Sequence, residues 1–537
     1  MDKIFKKNNL IKFAIATVIT LFVVIGGLVG KNAFFPKEYI GGNVLNLPYT
    51  NTWSENNLLE SPWKNSPFYT SLMYRSLFLS DASFQSQEPD LAQSYAILDD
   101  GLTYEIDLKD NIYWSDGQKL TLEDVIFSIE SVMLASNVNA IYTAAFSPIE
   151  GMEDYLADPS IGLSGLEIIN DKLYITLNDQ YPSMLQVLSQ FAILPAHCFE
   201  NADISNISLD IYWADPVVSG MYKVGEIVPG ETVTLVRNEY YSETAPQIDE
   251  ILLHIDYKFT SLDYYSTNNI TEMINYRSMR EMSEYKVDIL FYRYLVFNTQ
   301  GSETYDSTAM QDPLVRQAIS YAIDRESLIY DVYLDSGTLI DSGVPRSHDS
   351  YDGFENEYNI EKAKALLAES EYDFSRPLSL SYYYTDTTSK AFMEELKEDL
   401  EAVGFTVNLF ICETSADLYI NRNFDLFLKG LSAFDISEWY IEYTSLSPQL
   451  SKLFGTETPF ETIVSRLTRE VDEVEKDALL TELQQLEHEE MLKIPLFTLG
   501  QVLYLNEERL NIPSNLEFGN TWYKYDVDFE NWSIKRE

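Results

Sequence analysis

Histidine, cysteine and carboxylate side chains are the groups that could carry catalysis or hold a metal in this chain. The four histidines, His197, His254, His348 and His488, have no partner ligands at the spacing of a metal site. The sequence also lacks a Gly-x-Ser-x-Gly turn, a phosphate-binding glycine loop, a His-Glu-x-x-His pair and a Cys-x-x-Cys pair. With 85 acidic residues, neighbouring carboxylates are unavoidable and do not indicate a glycosidase. We therefore expect no enzyme, no metal site and no cofactor.

The two cysteines, Cys198 and Cys412, lie more than two hundred residues apart in the sequence. They could pair only if the fold brought them together, and we expect both to be free and buried.

Aromatic residues in a polar loop are the first candidates for binding. The segment 48–68 follows a predicted first strand and carries Tyr49, Trp53 and Trp63 among polar residues. Rings in such a loop form either a small satellite core or contacts with a ligand. The local pattern leaves both interpretations open.

Charge and length exclude several partners. The 537 residues predict two or three domains. The formal net charge of −48 excludes nucleic acid, whose phosphates need a basic surface, and disfavours anionic lipid as a partner of the folded body. The acidity is either a device for solubility or a preference for cationic ligands.

The N-terminus has the pattern of an export signal. Four lysines, at positions 3, 6, 7 and 12, precede an apolar run at 13–30. The positive-inside rule places the remainder of the chain outside the cytoplasm. Because no small-x-small cleavage site follows, we expect an uncleaved membrane anchor at about residues 11–30 on the extracytoplasmic face of the cell membrane. Secretion after signal cleavage is the alternative, and a buried core helix is a third.

A compact strand, turn and helix pattern occupies residues 91–133. Apolar and charged residues alternate at 104–108, which predicts a half-buried strand. Thr121 stands three residues before Asp124 and predicts a capped helix start. Further on, residues 378–410 predict a βαβ unit, whose strands should be parallel.

The amino-acid sequences of three segments resemble those of a known family. The run DDGLTYEIDLKDNIYWSDGQKLTLEDVIFSIE, at 99–130, closely resembles the signature of the extracytoplasmic solute-binding proteins, family 5. The segments DPVVSGMYKVGEIVPGETVTLVR at 215–237 and VFNTQGSETYDSTAMQDPLVRQAISYAIDRESLIYDVYL at 296–334 are similar to the same family.

The resemblance implies a mixed α/β, two-lobed fold of the periplasmic-binding-protein-like class II, with an inserted extra domain and a preceding N-terminal transmembrane helix. The implied organisation has four parts. A signal or anchor segment spans 1–36, and lobe I combines 37–85, 210–297 and 496–537. The inserted domain of lobe I spans 86–209, and lobe II spans 298–495. Many Gram-positive relatives carry a lipid on a cysteine just after the apolar run. The first cysteine here is Cys198, which excludes that tether and favours the anchor.

Ligand contacts are implied in three places. The segment 423–442 resembles the one where peptide-binding members place an aspartate that neutralises the α-amino group. Asp435 is the candidate here, although Phe434 is the alternative occupant of that position, and Trp439 and Tyr440 could add aromatic contacts. The loop after the first strand, with Tyr49 and Trp53, reaches the cleft in this family. The Gly-x-Tyr step at the chain crossover adds Gly220 and Tyr222.

The implied function is the substrate-binding component of an ABC importer. Such a protein captures an oligopeptide or similar small solute between its lobes and delivers it to a membrane permease with its ATPase. Two alternatives stay open: a membrane-tethered solute sensor or other non-transport binding module of the same fold, and a binding protein for a sugar or a metal chelate. The resemblance also implies that Arg316 and Arg325 are structural rather than anion clamps.

Overall fold

The computed structural model describes residues 42–49, 59, 71–80, 87–98, 101–136, 138–255, 262–277, 282–370, 372–433, 435–514 and 528–535. The predicted anchor at residues 11–30, as well as Trp53 and Phe434, lie outside these ranges. Within them, no helix is both long and apolar enough to cross a membrane.

The described strands are numbered in chain order. They are β1 Val44–Pro48, β2 Phe78–Ser80, β3 Gln87–Pro89, β4 Ala92–Leu98, β5 Thr103–Leu108, β6 Leu166–Ile169, β7 Lys172–Thr176, β8 Tyr222–Val228, β9 Thr232–Arg237, β10 Glu250–His254, β11 Tyr264–Thr267, β12 Ser283–Phe297, β13 Thr338–Leu339, β14 Leu378–Tyr382, β15 Val407–Ile411, β16 Leu426–Ser432, β17 Lys493–Leu505, β18 Leu510–Asn511 and β19 Ser533–Ile534.

The described α-helices are numbered in the same way. They are α1 Leu122–Leu134, α2 Ala140–Phe146, α3 Met152–Ala157, α4 Met184–Leu188, α5 Ile270–Arg277, α6 Pro313–Ala322, α7 Arg325–Tyr333, α8 Ile360–Glu369, α9 Thr387–Ala402, α10 Ile436–Ile441, α11 Ser451–Phe454, α12 Glu461–Leu467 and α13 Glu473–Glu490.

Two four-stranded sheets share the first hydrophobic core. One has the strand order β1-β10-β9-β8, with β1 parallel to β10 and the other pairs antiparallel. The other is antiparallel, has the order β4-β5-β7-β6 and comes from the region predicted as the inserted domain. A single set of buried apolar residues packs both sheets, from Leu45 to Leu253 and on to Trp532.

The pattern at residues 91–133 folds as predicted. Strand β5 alternates as expected, and α1 begins with a reciprocal capping box between Thr121 and Asp124. The indole of Trp114 is fully buried and donates from Nε1 to Asp124 Oδ2 at 3.2 Å. The aspartate therefore serves as a helix cap and packing partner rather than as a reactive group.

A larger mixed sheet organises the second half of the chain. Its order is β11-β17-β12-β16-β14-β15, with β13 added beside β17. The predicted βαβ unit is confirmed, since β14 and β15 are parallel and α9 connects them. One apolar core covers the face packed by α6, α7 and α9, and another covers the face packed by α10, α12 and α13.

Strands β12 and β17 connect the two halves of the molecule. They pair antiparallel with each other over most of their length. Val287 of β12 and Leu503 of β17 belong to the first core, whereas Leu295 and Ile494 belong to the second. Each strand therefore passes from one lobe to the other, and the two passages lie side by side.

The cysteine prediction holds only in part. Both cysteines are free, and Cys412 is buried, but Cys198 is only partly buried. Cys198 is the last residue of a short 3-10 turn at the edge of the first core, where neighbouring apolar groups cover it incompletely.

A buried cluster of charges lies in the core behind α10. Glu442 binds Lys429 at 2.5 Å and Lys493 at 2.9 Å, and accepts a hydrogen bond from Tyr294 at 2.6 Å. Burial alone would raise the pKa of Glu442, but the two ammonium groups lower it to about 2. Burial lowers the pKa of Lys493 to about 8, and this ammonium lies 4.1 Å from the centre of the Trp439 ring.

We expect Glu442→Gln to destabilise the protein by about 3–5 kcal/mol, because it leaves two buried lysines without a counter-charge. Guanidinium denaturation followed by tryptophan fluorescence measures the change. The matched control is Glu473→Gln, which removes the largely exposed partner of Lys476 and should change stability little. Equal effects of the two substitutions would contradict a structural role for the buried cluster.

Candidate ligand cleft

One edge of the larger sheet has the geometry of a ligand site. Strands β14 and β16 are parallel, so their carboxyl ends meet at the same edge. Strand β12 runs antiparallel to β16 and enters the sheet there, with Phe291 opposite Ser432. In open α/β sheets, ligands bind outside the carboxyl ends of the strands. This edge, with the loops that follow β14 and β16, is called the cleft edge below.

Residues from the first half of the chain approach this part of the molecule. A Cβ built on Gly101, in the turn before β5, would lie 2.6 Å from Val471 Cγ1, so this turn contacts the segment before α13. Tyr181 belongs to the segment after β7. Burial first, and then the charges of Glu438 and Asp435, raise the pKa of its hydroxyl well above the usual range. Residues from the two halves of the chain therefore lie close together beside the cleft edge.

Asp435 lies on the cleft edge, just after β16. It is the N-cap of α10, and its Oδ1 accepts a hydrogen bond from the Ser437 amide at 2.7 Å. The side chain is partly exposed, and no ion pair to a lysine or arginine neutralises it among the described residues. An exposed carboxylate held by a helix start can accept a further hydrogen bond from a cationic ligand.

Trp439 and Tyr440 do not lie on the cleft surface. Both side chains are 0% exposed, because the turn of α10 that carries them faces the second lobe's core. Trp439 Nε1 donates to Glu487 at 2.7 Å, and a Cβ on Gly343 would overlap the indole ring. Ligand contact by these two residues stays a prediction, and it would require this core to open.

The other predicted contacts lie in the first lobe. Tyr49 is 2% exposed, and its amide donates to the His254 carbonyl at 2.8 Å. Gly220 approaches the backbone so closely that a Cβ would lie 2.3 Å from the Leu72 oxygen. Tyr222 is fully buried and donates to the Ile248 carbonyl at 2.7 Å. These roles are structural, and ligand contact at all three positions stays a prediction. The structure does not bring them together with Asp435.

The sequence analysis did not single out Arg293. This residue lies on β12, opposite Gly430, and is 7% exposed. Its guanidinium lies 3.8 Å from the centre of the Tyr384 ring and 5.0 Å from that of Phe291. The available signal is a single arginine inside the apolar and aromatic run LFYRYLVF, where a charge has no packing role.

Asp288 lies at an irregularity of β12, next to the cleft edge. The pairing of β12 with β17 shifts register between Asp288 and Phe291, and Leu290 between them has a positive φ of 48°. The Asp288 carboxylate accepts hydrogen bonds from the Leu290 amide at 2.8 Å and the Thr498 hydroxyl at 2.7 Å. Burial raises its pKa to about 6.

Within the part of the chain that the structure describes, no group of three or more histidine, cysteine, aspartate or glutamate side chains is placed to hold a metal ion. His197 instead pairs with Asp116 at 2.9 Å. Arg325 pairs with Asp341 inside the second lobe, as expected for a structural residue.

Comparison with known families agrees with this architecture. The family described as bacterial extracellular solute-binding proteins, family 5 Middle, matches residues 86–450. The chain therefore belongs to this family.

Individual relatives are more distant. The oligopeptide-binding protein AppA of Bacillus subtilis is 25% identical over 299 residues, which cover 52% of this chain and 50% of that protein. The chain matches no more than 62% of the length of the first curated relatives.

Solved structures share the fold over nearly the whole chain. The ABC transporter substrate binding protein CtaP from Listeria monocytogenes has a TM-score of 0.73 at 21% identity, covering 92% of this chain and 100% of that one. Bacillus subtilis AppA, solved in complex with a nonapeptide, has a TM-score of 0.64 at 19% identity and covers 93% and 100%. At these identities the similarity shows the fold alone. The predicted mixed α/β fold of the periplasmic binding proteins is confirmed.

We expect the melting midpoint of Asp288→Asn, minus that of the wild type, to increase between pH 4 and pH 7. The folded-state pKa of about 6 lies above the ordinary value for an aspartate, so the folded protein holds this proton more tightly than the unfolded chain. Protonated Asp288 therefore stabilises the wild type at low pH, and this contribution is lost as the pH rises through 6. Melting midpoints of both proteins across this range measure it. A difference in melting midpoint that stays constant with pH would contradict the raised pKa of Asp288.

Proposed function

We propose that this protein is the substrate-binding component of an ABC importer and that its substrates are peptides. The observation that supports the proposal is a pair of separate hydrophobic cores that the paired strands β12 and β17 join, in a chain of the family 5 solute-binding proteins. Its relatives include an oligopeptide-binding protein of Bacillus subtilis and a dipeptide-binding protein of Escherichia coli. Capture needs no bond to be made or broken.

Closure of the lobes is the proposed mechanism of capture. Strands β12 and β17 pass side by side from lobe I to lobe II. Hinge motions concentrate at a few residues of such connections. The contact between Gly101 and Val471 gives the inserted domain a place to close against lobe II. The proposed lobe boundaries are those implied by the family resemblance.

Asp435 is the proposed receptor for the ligand's amino group. Its carboxylate is partly exposed on the cleft edge and lies close enough to Tyr181 to affect that residue's pKa. A cationic group removed from water between the lobes needs a counter-charge, and Asp435 with Glu438 supplies it.

Location and partners follow from the family. Bacterial extracellular solute-binding proteins act outside the cytoplasm, and we propose that this one delivers its ligand to a membrane permease driven by an ATPase. The lysine-led apolar run at residues 11–30 supports attachment to the membrane.

Oligopeptides should raise the melting midpoint of the full chain, purified in mild detergent, and the midpoint should keep rising with peptide concentration. A ligand that binds only the folded state stabilises it by about 2.7 kcal/mol at a concentration of one hundred times Kd. A mixed peptide library tests the class, with sugars and metal chelates as comparison sets. A shift with a sugar or chelate and none with peptides would exclude the peptide assignment.

Asp435→Asn should weaken binding of free-amine peptides by about tenfold or more and leave N-acetylated peptides nearly unaffected, because only the former bring a cation to the site. Calorimetric titration measures both. The matched control is Asp312→Asn, which changes another N-capping aspartate of lobe II, at the start of α6. If Asp435→Asn weakens both kinds of peptide equally, Asp435 does not bind the amino group.

A further inference from the structure

Arg293 is a buried cation without a partner. Its Nε and Nη1 atoms are completely buried and have no hydrogen-bond partner among the described residues. A buried charge without compensation costs several kcal/mol and is retained in proteins only when something pairs with it.

The other buried arginines behave differently. Of the described arginines that are less than 9% exposed, Arg75 binds Asp90 at 2.6 Å and Arg325 binds Asp341 at 2.8 Å. Arg316 donates to the Glu490 carbonyl from two nitrogens. The other three buried arginines of the described chain therefore have partners, and Arg293 is the exception among the four.

The surroundings of Arg293 hold its guanidinium in a fixed place. Tyr384 follows β14 and Phe291 begins the cleft-edge part of β12, and both rings stack near the cation. Gly430 on the neighbouring strand makes room for these rings, because a Cβ there would lie 2.6 Å from both the Phe291 ring and the Tyr384 hydroxyl. Aromatic faces stabilise a guanidinium while leaving its N–H groups able to donate.

Arg293 is also located where a ligand would lie. Both stacking rings are only partly buried, as is Gly430. The charge of Arg293 contributes to lowering the pKa of Asp386, the N-cap of α9 on the same edge, although the two groups form no ion pair. Asp435 and Glu438, which follow β16 at this edge, are acidic. Arg293 is therefore a positive point in a negatively charged cleft.

We infer that Arg293 binds a carboxylate of the ligand. This assignment rests on the proposed function and deepens it: the ligand carries a carboxylate that lies against Arg293, whether a peptide's terminal group or an acidic side chain. The planar N–H groups of a guanidinium match a carboxylate better than an ammonium does. A dipolar ligand would then place its negative group at Arg293 and its amino group at Asp435.

The first test does not require a peptide. Arg293→Met should not lower the melting midpoint of the ligand-free protein, because it removes an unpaired buried charge. The matched control, Arg325→Met, breaks a buried pair and should lower it markedly. Acetate, exchanged for chloride at constant ionic strength, should raise the midpoint of the wild type and not that of Arg293→Met. An Arg293→Met variant that melts as low as Arg325→Met, or one that still responds to acetate, would overturn the assignment.

The second test identifies the source of the carboxylate. Calorimetry compares a peptide with its C-terminal amide, and a glutamate-containing peptide with its glutamine counterpart. In the wild type, loss of the relevant carboxylate should weaken binding about tenfold to a hundredfold, and Arg293→Met should remove that difference.

Sensitivity to amidation identifies the terminal carboxylate, and sensitivity to glutamine identifies an acidic side chain. Peptides that bind the wild type equally well with and without either carboxylate would overturn the proposal. If no peptide binds while acetate still acts through Arg293, the peptide function fails and the anion site stands.

Discussion

The antiparallel pairing of β12 with β17 is the interaction on which the two-lobed structure depends. Each strand contributes side chains to both hydrophobic cores, so neither lobe can be completed without them. The pairing is interrupted between Asp288 and Phe291, where Leu290 takes a left-handed backbone conformation. Such a bulge bends a strand and directs side chains away from the regular ladder, and a strained residue of this kind needs support from its surroundings. The bend lies beside the cleft edge and thus positions the strand that carries Arg293.

Charge in the second lobe is arranged in two ways. Behind α10, Glu442 neutralises two lysines, and aromatic rings surround Lys493, so the charges are balanced inside the core. On the cleft edge, Arg293 has two buried nitrogens without a hydrogen-bond partner among the described residues, and it forms no ion pair with Asp386. A buried pair serves the fold, whereas unpaired groups at an edge can serve a ligand. This difference separates the aromatic residues of α10 from the candidate contacts of the cleft.

Local signals in the sequence predicted local structure well. The capping box of Thr121 and Asp124 and the parallel βαβ unit both follow from short-range patterns along the chain, and the structure contains both of them. The site was harder to predict. The burial of Trp439 depends on Glu487, 48 residues away. The surroundings of Arg293 are formed by Tyr384 and Gly430, which are distant from it in the sequence. No local pattern connects these residues to Arg293.

Small-angle X-ray scattering with and without a saturating peptide tests the central claim most directly. If the protein captures its ligand by closing two lobes about the paired strands, the radius of gyration should fall when peptide is added. The profile with peptide should then match a structure in which Gly101 meets Val471. Identical scattering in both states, for a peptide shown by calorimetry to bind, would contradict capture by closure.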